Sequence, residues 1–138
     1  MAKRDTFLED ILKKSNITAK KDGAGYSWNT SDLFGAAEER IPPADGGLEA
    51  AVNDYVGLVG ARCKGDFAHN ESSIARNVNG VETIEGEFAC IDGENDAAAA
   101  LLFVHREGKV AVISYEGSTE QMEDALSSRS TAISNLSR

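Results

Sequence analysis

The segment from Ala97 to His105 is the feature that most restricts what this chain can fold into. Apolar residues fill every position up to the histidine, and polar and apolar side chains do not alternate. A strand with this pattern is covered by protein on both of its faces. The segment therefore predicts the central strand of a sheet.

Turn signals on both sides of this segment predict that the sheet is antiparallel. Asn79-Gly80 and Glu107-Gly108 are typical of tight turns, and the second one leads into Val110 to Tyr115. Thr83 to Ile91 alternates, which predicts one buried face and one solvent-exposed face. With a weaker strand from Asp66 to Ala75, the chain has four consecutive strands, and helices pack on them.

Helical spacing of apolar residues predicts the surrounding helices. The clearest run extends from Leu48 to Arg62. The closing run, from Ser118 to Leu136, begins with a capping box formed by Ser118 and Gln121. Its predicted buried stripe is Met122, Leu126, Ile133 and Leu136. Further helices are predicted from Asp5 to Ser15, within a peripheral segment of residues 1–16, and from Ser31 to Arg40.

The predicted fold class is therefore α+β, an antiparallel sheet packed against helices in a single domain spanning residues 1–138. Domains commonly have about 100–150 residues. At this size, and with 41% hydrophobic residues, a core forms without a metal or a disulfide.

The charge balance argues against nucleic acid as a partner. The net charge is -9 and only 14 residues are Lys or Arg, whereas a phosphate backbone requires a basic patch. No stretch reaches the ~18 apolar residues of a transmembrane helix. Met1 to Ser15 does not resemble a secretory signal, so the expected compartment is the cytoplasm, or the periplasm or exterior if a leader has been removed.

Cys63 and Cys90 are the two cysteines of the chain. They lack the spacing of a four-ligand zinc site. Two buried free thiols are the preferred interpretation, because buried free cysteine is common. A structural disulfide, which would imply an oxidising compartment, and a reactive thiol are the alternatives.

Candidate catalytic and metal-binding residues are few. The acidic cluster at 92–96 is interpreted as a polar turn, because Phe103 occupies the position where a calcium loop needs its bidentate acid. The glycines form no phosphate-binding loop, so neither a metal nor a cofactor is expected. His69 with a nearby acid is the one candidate for a hydrolase, whereas His105 is interpreted as a strand-end residue.

Two loops are the candidate contact surfaces, because loops carry recognition while the scaffold holds them in place. The first runs from Asp22 to Trp28 and includes Tyr26; its aromatic residues form either an exposed contact site or part of the core, and the core is preferred. The second runs from Ile41 to Gly47 and includes Pro42 and Pro43.

The carboxyl-terminal two-thirds also resembles a known group of proteins. Val78-Asn79-Gly80-Val81 followed by Glu85-Gly86-Glu87-Phe88-Ala89, a hairpin from Leu101 to Tyr115 and a closing helix through Leu136 resemble the element order of the Mog1/PsbP-like families. The resemblance implies a helix-sheet-helix sandwich that acts as a binding or accessory module without catalysis.

The leading functional hypothesis is therefore a non-enzymatic module that binds another protein. An acidic chaperone or inhibitor of a basic protein is the second hypothesis, and a small hydrolase is the third.

Overall fold

The computed structural model describes residues 7–14, 17–23, 25–30, 33–42, 47–72, 76–78, 81–106 and 108–136. A 3-10 turn at Thr119–Gln121 precedes the last helix. The helices and strands, in chain order, are α1 Phe7–Lys14, β1 Lys20–Asp22, β2 Gly25–Thr30, β3 Leu33–Arg40, α2 Gly47–Arg62, β4 Asp66–Glu71, β5 Arg76–Val78, β6 Val81–Asp92, β7 Asn95–Arg106, β8 Lys109–Gly117 and α3 Met122–Leu136.

The eight strands form one antiparallel sheet in the order β1-β2-β3-β8-β7-β6-β4, with β5 paired to β6. A tight turn joins β6 to β7 within the acidic cluster at 92–96, where a polar turn was predicted, and Gly108 lies in the turn that joins β7 to β8. The predicted turn at Asn79-Gly80 lies outside the described residues. Strand β7 lies between two long neighbours, and the side chains from Ala98 to Val104 are buried. The predicted central strand is confirmed.

Helices cover both faces of this sheet. Helix α3 packs against β7 and β8, and α1 contacts α3 and β3 on the same face. Helix α2 packs on the opposite face, against β6 and β7. The predicted α+β fold with helices on an antiparallel sheet is confirmed. Helix α1, which was expected at the periphery, contributes Leu8, Ile11 and Leu12 to the core.

The prediction of a helix from Ser31 to Arg40 is wrong for the part that the structure describes, because residues 33–40 form strand β3. Its burial has the period of two that a strand gives: Leu33, Gly35 and Ala37 are buried, and the residues between them are not. Alanine and glutamate favour helices intrinsically, but β2 and β8 pair with this segment on both of its edges. Tertiary pairing therefore outweighs local propensity here.

The buried face of α3 differs from the predicted stripe. Leu136 is buried as expected, whereas Met122, Leu126 and Ile133 are only partly buried. The fully buried positions are those at which the helix lies closest to the sheet: Ala125, Arg129, Ala132 and Leu136. The predicted capping box is present, and the Ser118 amide donates to the Gln121 side chain at 2.8 Å.

Ile84 and Phe88 of β6 are buried as the alternation predicted, whereas the face predicted to be solvent-exposed is half-buried. Glu85 and Glu87 point toward α3, where the buried Arg129 lies within 3.3 Å of Glu85 and 2.6 Å of Glu87. The guanidinium also donates to the carbonyl oxygen of Gly86 at 2.6 Å. The carboxylates therefore form an ion-pair cluster between helix and sheet.

Cys63 and Cys90 are joined by a disulfide with their Cα atoms 5.9 Å apart. The preferred interpretation as two free thiols is therefore wrong. The sequence separates the two residues by a helix end and two strands, so the sequence alone does not show that they meet. The bond fixes the carboxyl end of α2 to β6. Within the described ranges, every helix falls short of the length or the apolar character that spanning a bilayer requires.

Candidate binding face

One half of a sheet face is not covered by any helix among the described residues. Helix α2 covers β6 and β7, but the same side of β2, β3 and the end of β8 lies beyond it. We call this surface the open face. Its members are Ser27, Asn29, Phe34, Ala36 and Glu116, and it borders α2 at Glu38, Arg40 and Ser114.

Strand register brings these side chains together. In antiparallel strands, directly opposite residues share a face, with their Cβ atoms about 5 Å apart. Phe34 lies opposite Glu116 on one side and opposite Asn29 on the other, and Ala36 lies opposite Ser114. An exposed aromatic ring and a carboxylate are therefore immediate neighbours.

Trp28 is part of the core beneath the open face. Its side chain is 7% exposed and its ring makes an edge contact with Tyr115, with 6.0 Å between ring centroids. The indole lies on Gly35, where any Cβ would overlap the ring. The structure thus places this candidate contact residue inside the protein, on the side of the sheet that faces α1 and α3.

A cleft of about 240 Å³ lies where the open face meets α2. Tyr55 of α2 forms one wall, and its ring makes an edge contact with Phe103 at a centroid distance of 5.6 Å. The Arg40 guanidinium lies 5.3 Å from the centroid of the same ring. The cleft is lined by Gly25, Tyr26, Ala36, Ala37, Glu38, Tyr55, Val112 and Ser114.

Acidic groups dominate the electrostatics around Tyr55. Burial raises the pKa of its hydroxyl, and the Glu38 and Glu116 charges raise it further, while Arg40 and a hydrogen bond from Ser114 act in the opposite direction. Arg40 lies 3.5 Å from Glu38, so this carboxylate already has a cationic neighbour.

Glu116 has no such neighbour among the residues that the structure describes. It makes no hydrogen bond or ion pair with any other described residue. Desolvation by the surrounding protein raises the pKa of its carboxyl, although the side chain still contacts solvent. Beside it, Phe34 is 48% exposed. The open face therefore ends in an exposed aromatic ring and a carboxylate that no described cation pairs with.

Among the other candidate contact residues, Tyr26 lies at the edge of the cleft, and its hydroxyl donates a hydrogen bond to Glu9 of α1. Burial raises the pKa of this hydroxyl, and so do the charge of Glu9 and the hydrogen bond to it. Ile41 is 85% exposed at the end of β3, and Pro42 is partly buried. Pro43 lies outside the described residues.

Neither histidine lies in this cleft. His69 Nδ1 is 2.6 Å from Glu71 on exposed strand β4, which places an acid beside it as the hydrolase hypothesis expected. His105 lies 3.0 Å from Glu82 near the end of β7. The described residues contain no group of three or more histidine, cysteine or acidic side chains that could hold a metal ion.

The acidic cluster at 92–96 is a tight turn between β6 and β7. Gly93 has a φ of 62°, a conformation that glycine adopts without strain. Asp96 accepts hydrogen bonds from the backbone and side chain of Thr119, which lower the pKa of its carboxyl. Asp96 therefore anchors the 3-10 turn that precedes α3.

Sequence reasoning missed most of the open face. Phe34, Glu38 and Arg40 lay in the segment interpreted as a helix, and Glu116 came after the last predicted strand. The residue types from Leu33 to Arg40 do not alternate between apolar and polar; only the burial alternates, and that depends on pairing with β2 and β8.

Comparisons with known proteins support the fold. PA94, a Pseudomonas aeruginosa protein of unknown function, has a TM-score of 0.60 with 10% identity over 79% of this chain and 77% of its own. Cyanobacterial PsbP from Synechocystis sp. PCC 6803 has a TM-score of 0.60 with 16% identity over 83% of this chain and 74% of its own. No protein-family model matches the sequence, and no curated protein matches it. The predicted resemblance to PsbP-like proteins is confirmed at the level of the fold.

Proposed function

We propose that this chain is an accessory module that binds another protein through its open face and catalyses no reaction itself. The exposure of Phe34, on a sheet half over which the described part of the chain places no helix, is the observation that carries the proposal. Such an apolar group beside a cleft, surrounded by polar side chains, is typical of a contact site.

The rigidity of the surface supports this function. The open face is built on paired strands, and Trp28 and Tyr115 pack behind it. A partner therefore meets a preformed surface, which lowers the ordering cost of association. Ile41, which follows the end of β3 in one of the two contact loops predicted from the sequence, is also exposed.

The proposal is tested by affinity capture from the native host with matched variants. Phe34→Ser removes the aromatic ring from the open face, and Leu58→Ser removes an apolar side chain of similar exposure, 46%, from the outer side of α2. Proteins retained by the wild type should be lost with Phe34→Ser and kept with Leu58→Ser. Equal retention by the two variants would show that the open face is not the contact site.

We also propose that the chain works in an oxidising compartment. The Cys63–Cys90 disulfide supports this, because structural disulfides persist outside the reducing cytosol. Alkylation of the protein in intact host cells, followed by mass measurement, tests it. Full labelling of both thiols before any reductant is added would contradict the proposal.

A further inference from the structure

Building on the proposed function, we infer that the open face recognises a protein segment in which a Lys or Arg stands beside a large apolar side chain. The cation pairs with Glu116 and the apolar group packs on Phe34. The occupant is thus defined by two adjacent chemical groups and not by hydrophobicity alone.

The first step of the argument is the register of β3 and β8. Phe34 and Glu116 are directly opposite each other, so a partner that covers the aromatic ring comes within reach of the carboxylate. The proposed partner contacts both groups.

The second step is the cost of that coverage. Glu116 is already partly desolvated, which raises the pKa of its carboxyl, and it has no cationic neighbour among the described residues. Covering it with an apolar surface would remove its remaining water without compensation, and burying an unpaired charge is strongly unfavourable. A partner that binds tightly therefore supplies a positive charge at this point.

The third step distinguishes Glu116 from its neighbour. Glu38 lies at the closed end of the same face, where Arg40 is 3.5 Å away and Tyr55 forms the wall of the cleft. Its charge is thus already balanced. The carboxylate that a partner's cation would pair with is therefore Glu116, at the exposed end of the face next to Phe34.

The charge of the whole chain agrees with this assignment. A net charge of -9 attracts a basic partner over a distance and disfavours a second copy of the same chain. The attraction is general, however, so only a comparison between two carboxylates can show that Glu116 itself makes the contact.

The test uses the full-length, isotope-labelled protein and three blocked eight-residue peptides built on Ser and Gly. One carries Lys and Leu two positions apart, the spacing that places both on one side of an extended chain. The second carries Glu and Leu, and the third Lys and Ser. Amide chemical-shift changes locate each peptide and give its dissociation constant.

The Lys-Leu peptide should shift the amides of Phe34, Ala36 and Glu116 and bind more tightly than the other two peptides. Glu116→Gln should weaken it about fivefold, the upper range for a partly exposed ion pair. Phe34→Ser should weaken it by about tenfold or more, because an aromatic side chain loses its burial. Glu94→Gln, at an exposed position in the turn between β6 and β7, is the matched charge control.

Three results would overturn the inference: equal weakening by Glu94→Gln and Glu116→Gln, equal binding of the Glu-Leu peptide, or no shifts on the open face at millimolar peptide. These outcomes are separate from a failure of the proposed function. If Phe34→Ser loses the captured host proteins while Glu116→Gln keeps them, the face binds protein and only the assigned partner chemistry is wrong.

Discussion

Arg129 of α3 donates a hydrogen bond of 2.6 Å to Glu87 of β6, and this pair connects the last helix to the sheet. The arginine is 9% exposed, and its guanidinium also lies 3.3 Å from Glu85. Apolar positions of α3 face β7 and β8, whereas this charged position faces β6. The ion pair therefore adds a polar contact to the apolar packing of the helix on the sheet.

Arg129→Ala should lower the free energy of unfolding by about 2–4 kcal/mol, because it leaves two partly buried carboxylates without this cation. Arg129→Lys should recover only part of the loss, since a lysine cannot reproduce the directions in which a guanidinium donates. Urea unfolding followed by Trp28 fluorescence measures both. Ser130→Ala on the exposed side of the same helix is the control, and an equally small effect of all three variants would contradict the prediction.

Replacing Cys63 and Cys90 together by alanine should cost about 3–4 kcal/mol, the chain-entropy value for this loop. The bond closes a separation of 27 residues and holds the end of α2 against β6. Denaturant unfolding of the variant and of the wild type, with and without reductant, measures the effect. Reductant should destabilise the wild type and leave the variant unchanged; a wild type indifferent to reductant would speak against a stabilising bond.

Gly35→Ala should destabilise the protein by about 1–3 kcal/mol, because the added methyl group overlaps the Trp28 ring. Gly57→Ala in α2 is the matched control, since its methyl group meets no atom within 4 Å. Alanine also has the better helix propensity, so this second change should stabilise by about 0.5–1 kcal/mol. Thermal unfolding of the two variants distinguishes them, and effects of the same sign would contradict the packing assigned to Trp28.

The strands and helices of this protein differ in how far their own sequence predicts them. Continuous apolar character identified β7, and period-2 or helical spacing identified β6, β8, α2 and α3 as elements. The buried face of α3 was not predicted correctly, because it includes Arg129, which pairs with the carboxylates of β6. Strand β3 was not recognised, since its alanines and glutamates favour a helix and only pairing with β2 and β8 makes it a strand.

Because β3 was not predicted, the open face was not predicted either. Phe34 and Glu116 are far apart in sequence and become neighbours only through the pairing of β3 with β8. The disulfide and the Arg129 cluster depend likewise on contacts between distant elements. Local patterns carry information about elements, whereas the chemistry of this surface depends on which elements meet.

Thr119→Val should raise the pKa of Asp96 toward its ordinary value, because the hydroxyl that donates to this carboxylate is removed. In the wild type the folded-state pKa is the lower one. The contact therefore stabilises the fold above the unfolded pKa, and the stabilisation is lost as the pH falls through the folded pKa. Carbon-detected titration of the Asp96 carboxyl in both proteins measures the shift, and identical titration curves would exclude the proposed contribution of the side chain.

The charge of Glu116 should affect stability with a pH dependence opposite to that of the Asp96 carboxylate, and Glu116→Gln tests this. The folded-state pKa of Glu116 is raised by desolvation, so ionisation of this carboxyl opposes folding above its folded pKa and the cost disappears as the pH falls below the unfolded value. Glutamine removes the charge and should raise stability at neutral pH by no more than about 1 kcal/mol, because solvent still screens the side chain. Unfolding midpoints measured from acidic to neutral pH should converge at the acidic end. If Glu116 serves binding and not folding, Glu116→Gln should raise stability and weaken binding of the Lys-Leu peptide. A loss of stability at neutral pH would instead mean that Glu116 has a stabilising partner.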